Sequence, residues 1–335
     1  MRPIQFTPTH PAASGPAFLV SEARAAGMSD HACRPPRMHA PTSSVRSLVP
    51  FESAIDYAAA HALVLPDDIA FSHVMAAHIW KLPLPTALAR DQRVHVMRHS
   101  RLPRIERKGC VPHRGLESRT VVEVNGLPVT SLEDTWADLA DLAPRLISIS
   151  DLVMIGDAVV ERLSPTQWIH DEHPSAEPGS TQWWSDPVTV GCQRLRDIVH
   201  GRAGHRGVRS LRAALDLIRP RVWSPSESYA RLVVVEGQLP EPQLNKQVNH
   251  ENGNGPIGIV DLHWRQHRFR NKVAGEYQGE GKYDGRKDLR ASDNARRLLL
   301  EDDGWKVIEI FKRDIFTLPG RTSLVHRIAG LLGVA

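Results

Sequence analysis

The segments Gly258-Ile-Val-Asp-Leu-His-Trp264 and Val273-Ala-Gly-Glu-Tyr-Gln-Gly279 decide how the carboxy-terminal third of this chain is read. Both read as strands, with a turn-rich connection between them. Side chains alternate along a strand. That rule sets Asp261 on the face of Ile259 and His263, opposite Val260, Leu262 and Trp264. It also sets Glu276 and Gln278 on one face, with Tyr277 on the other. Two such strands side by side bring two carboxylates and an amide to one edge of a sheet. That arrangement suits a divalent cation held against a phosphodiester.

Working outward, Ser224-Pro-Ser-Glu227 has a capping serine, a proline at the first helical position and a glutamate three past the cap. It predicts a helix to about Glu236, then a strand over Gln243–Val248. The two central strands fall near 257–264 and 269–278. A helix over Asp288–Asp302 carries Leu289, Leu298, Leu299 and Leu300 and stops at Gly304. A buried strand over Lys306–Phe311 and a helix over Ser323–Leu332 complete the series. The expected order is helix, three strands, helix, strand, helix, an α/β layer able to form its own core.

Upstream, residues 1–17 are proline-rich and aperiodic and predict a flexible terminus. A mixed α+β region is expected over 18–163. Its helices fall at Leu19–Gly27, Phe51–Leu63 and Phe71–Trp80, with a further one opening at Thr130 and one over Ile149–Leu163 that Gly156 interrupts. Arg93–Met97 alternates as a strand, with Cys110–Arg114 and Thr120–Val124 as its partners, and Asn125-Gly126 marks a tight turn. Thr130 with Glu133 reads as a capping box. His73 and His78 are five apart, a poor spacing for ligands on one helical face, and take structural or surface roles. Residues 164–187, with Trp168, Trp183 and Trp184, read as a loop or insertion. Residues 188–221 read as a helical connector, and 222–335 as a separate domain.

The 335 residues can bury a sizeable core, and 41% hydrophobic with 24% charged residues is ordinary for a globular protein. No run is apolar for long enough to span a bilayer, and no secretory signal is legible. The three cysteines form neither a metal spacing nor a disulfide framework, so a reducing cytoplasm is the expected location. The net charge of +4 says little by itself; basic clusters at Arg101–Lys108 and from Lys282 to Arg297 say more about a polyanionic partner.

Asp261 and Glu276 are the best pair for a hard cation, and the backbone carbonyl of Tyr277 is a candidate third ligand. Glu227 is placed to face the same cluster from the first helix. Each acid also has a plainer reading. Asp261 is a polar residue beside a turn, and Glu276 has Lys272 or Lys282 as partners. Glu227 caps its own helix and stands four residues before Arg231. His250, His263 and His267 have no zinc spacing.

The ordered set Ser224-Pro-Ser-Glu-Ser-Tyr-Ala-Arg231, Val260-Asp-Leu262, Gly275-Glu-Tyr-Gln-Gly279, Asp293-Asn-Ala-Arg296 and Asp303-Gly-Trp-Lys-Val-Ile308 resembles the DUF559 and very-short-patch-repair-endonuclease-like branch of the PD-(D/E)xK nucleases. The likeness covers roughly 222–315. It implies an α/β restriction-endonuclease-like core of α-β-β-β-α-β order that cuts nucleic acid with Mg²⁺, or with Mn²⁺ in its place. Asp261 and Glu276 match the metal-binding acids and Glu227 the acid of the first helix. The family pattern expects lysine two residues past the glutamate, where this chain has Gln278. Glutamine orients water or phosphate by hydrogen bonds but carries no charge. Lys282 is the nearest lysine able to supply it from the turn. The segments Ser72-His-Val-Met-Ala-Ala-His-Ile-Trp-Lys-Leu-Pro83 and Asn125-Gly-Leu-Pro-Val-Thr-Ser-Leu-Glu-Asp-Thr135 resemble the region preceding this core in actinobacterial proteins related to AbiEi antitoxins. Those proteins carry an amino-terminal winged helix, which residues 18–49 match poorly.

The expected function is a Mg²⁺-dependent DNA endonuclease of nicking or repair type. Glu227, Asp261, Glu276, Gln278 and Lys282 form its site, and Arg286, Lys287, Arg290 and Arg297 contact phosphates. The alternative is an inactive nuclease core that binds DNA as a regulator or antitoxin-like module. RNA is the less favoured substrate. Cutting both strands needs two sites, hence a dimer or two successive nicks.

Overall fold

The computed structural model describes residues 17–34, 38–163, 190–266, 268–279 and 287–334, with the side chains of 287–292 outside that description. The expectations for residues 1–16, for the 164–187 loop, for His267 and for Lys282 and Arg286 therefore fall outside the described residues. The architecture is mixed α/β. Contacts divide the chain into two compact units, Met1–Ile155 with Leu195–Asp216, and Gly156–Arg194 with Leu217–Ala335. No helix among the described residues is long and apolar enough to cross a membrane.

The first unit begins with β1 (Ala17–Leu19), α1 (Val20–Ala25), β2 (Val45–Ser47), α2 (Ala54–Ala62), β3 (Ile69–Phe71), α3 (His73–Ile79) and α4 (Thr86–Ala89). It continues through β4 (Val94–Arg98), β5 (Cys110–Arg114), β6 (Val121–Val124), β7 (Leu127–Thr130) and α5 (Leu132–Leu139). β1 and β2 form a small antiparallel pair. The other strands form a sheet of order β5-β4-β3-β7-β6. The expected strand at 93–97 is thus β4 and Cys110–Arg114 is its parallel partner, but the strand at 120–124 pairs with β7 instead. Asn125 and Gly126 both have positive φ, 51° and 76°, as a two-residue hairpin turn demands. The helix after the hairpin is capped one residue later than expected. Ser131 accepts the Asp134 amide, while Thr130 ends β7 and its hydroxyl meets that of Thr135.

α6 (Ile149–Leu163) runs through Gly156 without a break, which corrects the expected interruption. α7 (Val190–Gly201) and α8 (Val208–Leu215) follow. Within the first unit Arg202 lies 2.7 Å from the buried Asp138 carboxylate, which Arg119 also approaches at 2.9 Å.

The second unit carries α9 (Pro225–Glu236), β8 (Gln243–Asn249), β9 (Pro256–Trp264), β10 (Lys272–Gln278), α10 (Lys287–Asp302), β11 (Trp305–Phe311), α11 (Lys312–Phe316) and α12 (Leu318–Leu332). The order agrees with the sequence reading apart from α11 and an earlier start to the last helix. Ser224 caps α9 as expected, accepting the Glu227 amide at 3.3 Å. The sheet order is β11-β10-β9-β8, with β10 and β11 parallel and the other pairs antiparallel. One apolar layer joins Val233, Val234, Leu244, Leu262, Trp264, Val273, Ile310, Leu324 and Ile328. The other joins Val248, Ile257, Val260, Ala274, Leu300 and Trp305. Of the four leucines expected along α10, Leu300 is buried, Leu298 and Leu299 are exposed, and the side chain of Leu289 is outside the description.

Candidate functional site

The ladder between β9 and β10 pairs Val273 with Trp264, Ala274 with His263 and Gly275 with Leu262. One more step of that register sets Glu276 across from Asp261. There the bonding changes: the Tyr277 amide donates to Asp261 Oδ2 at 2.8 Å, so a carboxylate takes a place that a main-chain carbonyl fills in a regular sheet.

The pleat also changes at this point. Residues two apart in a regular strand share a face. Leu262 and Trp264 pack in the first apolar layer, but Val260 packs in the second. On the neighbouring strand Leu244 and Val248 are divided between the layers in the same way. The pairs Leu244–Leu262 and Lys246–Val260 place Asn245 beside Asp261, and Asn245 has φ +45°, a left-handed conformation that asparagine tolerates better than most residues. The expected strict alternation through Val260, Leu262 and Trp264 is therefore corrected: Asp261 sits at a face inversion shared by both strands.

Asn245 links this inversion to α9. Its side-chain amide donates to Glu227 Oε2 at 2.5 Å, and the Trp223 amide donates to the same oxygen at 2.9 Å. Burial pushes the Glu227 carboxyl above its usual range; the bonds from Ser224, Trp223 and Asn245 oppose the rise, and the nearby Asp261 charge adds to it. The expected pairing of Glu227 with Arg231 is not the one made. Arg231, fully buried, meets Asp157 at 3.4 Å and Glu241 at 3.0 Å.

Glu276 is buried at the end of β10, and its Oε2 accepts from Arg296 at 2.9 Å, not from Lys272. Lys272 instead meets Glu251 at 3.0 Å and Asp303 at 3.4 Å. The Arg296 guanidinium donates also to the Ile259 carbonyl at 2.8 Å and lies 3.7 Å from Asp293. A Cβ at Gly258 would stand 2.8 Å from Arg296 Cδ, so the glycine makes room for the arginine stem. Arg296 was the residue that sequence reasoning left out of the site. Its signal lay in the Asp293-x-x-Arg296 spacing, one helical turn.

The remaining candidates are scattered. Gln278 closes β10, half-buried, two residues past Glu276 and so in step with it along the strand. Tyr277 packs its ring on the first apolar layer. Lys287 and Arg290 lie on α10 with side chains outside the description. Arg297 is exposed and shares its charge with Glu301 at 2.9 Å and Glu309 at 3.4 Å. Asp261 and Glu276 supply the hard oxygen donors that Mg²⁺ or Mn²⁺ takes, and one oxygen of each is hydrogen-bonded already. Among the described residues no group of three or more His, Cys, Asp or Glu side chains stands ready to hold a metal ion.

In the first unit, three histidines far apart along the chain come together. His73 and His113 stack with ring centres 3.5 Å apart, and His95 Nδ1 lies 3.0 Å from His113 Nε2. Asp91 is 3.7 Å from His95 and Asp141 is 3.8 Å from His73. Burial, followed by the charge of His73, lowers His95 to about 4 and His113 to about 2. Near neutral pH the His95 and His113 rings are therefore uncharged.

Two uncharacterized proteins of Mycobacterium tuberculosis, from strains CDC 1551 and H37Rv, are similar to this chain. Each is 32% identical over 143 residues, 42% of this chain and 49% of the relative. The chain thus spans about half the length of the curated relatives it matches. No family model matches, and no solved structure does.

Proposed function

We propose that the second unit hydrolyses phosphodiester bonds in DNA with a divalent cation, on a restriction-endonuclease-like core. The observation that carries this reading is the local departure of β9 from its ladder at Asp261, next to Glu276 and within the electrostatic reach of Glu227. The order α9, β8, β9, β10, α10, β11 supports it, since it agrees with the order that the resemblance implies.

Asp261 and Glu276 would hold the ion, with the Tyr277 carbonyl as a further oxygen. A bound Mg²⁺ or Mn²⁺ supplies a polarised water and offsets charge on the phosphate. Asp261 is kept oriented by the Tyr277 amide. Glu227, fixed by two donors, positions Asn245 beside Asp261. Gln278 orients water or phosphate through its amide, and Lys282 contributes positive charge.

A second reading, DNA binding without cleavage, is favoured by one specific observation: Glu276 is already neutralised by Arg296, and glutamine stands where the pattern calls for lysine. Incubation with Mg²⁺ or Mn²⁺ on supercoiled, mismatched, branched and single-stranded DNA, and on RNA, separates the two. Cutting that Asp261→Ala and Glu276→Ala each abolish supports hydrolysis. Binding with no cutting under any condition supports the second reading, and cutting that survives both substitutions removes this site from consideration.

A further inference from the structure

We propose that Arg296 is the resident counter-ion of Glu276 and competes with a divalent cation for that carboxylate, so that cation binding frees the guanidinium for the phosphodiester. This rests on the nuclease reading and names the device that controls its site.

Glu276 has 8% of its side chain exposed, and Arg296 has 29%. A buried carboxylate needs a cationic or hydrogen-bonding partner, and Arg296 supplies it at 2.9 Å. A second cation at the same carboxylate would meet the guanidinium at close range in a weakly screened place, so the two exclude one another. The arginine is built to be present and to leave. Its stem crosses Gly258, where any Cβ would stand 2.8 Å from Cδ, and Nη1 rests on the Ile259 carbonyl of the strand that carries Asp261. The Nη2 that meets Glu276 also lies 3.7 Å from Asp293, one turn back on the helix, a second acid to turn toward. Guanidinium groups pair with carboxylate and phosphate alike by the same fork of N–H donors. The next residue, Arg297, differs: its charge is shared by Glu301 on the same helix and by Glu309 on β11.

The test is Mn²⁺ binding to the full chain, read by electron paramagnetic resonance, for wild type, Arg296→Met, Arg296→Lys and Glu276→Gln. Arg296→Met is expected to tighten Mn²⁺ binding by about tenfold or more, the size of an ordinary coupling between two sites. Arg296→Lys should fall between it and wild type, and Glu276→Gln should weaken binding. DNA nicking by Arg296→Met should be slower at saturating Mn²⁺, because the freed group is missing. Equal Mn²⁺ affinity in wild type and Arg296→Met, with Glu276→Gln still weakened, overturns the competition and leaves the cation site standing. Mn²⁺ affinity indifferent to Glu276→Gln overturns both. If Arg296→Met does not fold, the folded Arg296→Lys variant decides: unchanged affinity there ends the proposal.

Discussion

Asn245 donates its side-chain amide to Glu227 at 2.5 Å while its own backbone is held at φ +45°. One residue therefore does two unrelated things, bonding a buried carboxylate and turning a strand. Asn245→Gly removes the amide but not the turn, and should cost about 1–3 kcal/mol for the carboxylate left short of a donor. Asn245→Ala adds the left-handed strain, about 1–2 kcal/mol more. Urea unfolding of the pair checks both figures; equal stability of the two variants would mean that the turn relaxes.

The Asp157–Arg231 pair is wholly buried, and Asp157 also accepts from Ser228 at 2.7 Å and from the Arg219 amide at 2.8 Å. Asp157→Ala leaves the buried Arg231 with Glu241 as its remaining acid, and leaves the Ser228 hydroxyl and the Arg219 amide without that acceptor, and should cost about 3 kcal/mol. A thermal melt near that of wild type would contradict this.

The histidine stack makes the first unit sensitive to acid. In the fold His95 and His113 are lowered to about 4 and about 2. Unfolded, each returns to about 6.5. The unfolded chain thus binds more protons below that value, and stability falls as pH drops from about 6.5 toward 4, by up to about 1.4 kcal/mol per pH unit for each ring. Above about 6.5 both states are neutral and the penalty vanishes. The double variant His95→Gln, His113→Gln should show a flatter dependence of its urea midpoint between pH 6.5 and 5; an unchanged slope would place the sensitivity elsewhere.

On the nuclease reading, DNA binding should weaken as salt rises, with a log–log slope of about −0.9 for each phosphate contact. Arg297 is already shared by two glutamates. Arg297→Ala should therefore change the slope by less than one full contact. A slope that no substitution alters would point to another surface.

Much of the second unit was legible because its signals are local. Ser224, Pro225 and Glu227 announce α9, and Gly304, with φ +85°, ends α10. The hairpin at Asn125-Gly126 was legible for the same reason, whereas β3 and β7, of three and four residues, are too short for a period to register. What was not legible depends on contacts far apart in sequence. The face inversion at Asp261 needs two strands to turn together, and alternation rules assume that neither does. Arg231 meets Asp157 and Glu241, while the near Glu227 is taken by the Trp223 amide and Asn245. Arg296 reaches Glu276 twenty residues away, through space that only Gly258 leaves open.

The Tyr277–Asp261 contact gives the sheet an unusual rung. A main-chain carbonyl belongs to the backbone that it fastens, but this acceptor hangs on a side chain with rotatable bonds of its own. The joint between β9 and β10 at this level can therefore swing with one side-chain rotamer, while the three pairs before it, Val273–Trp264, Ala274–His263 and Gly275–Leu262, are set by the strands themselves.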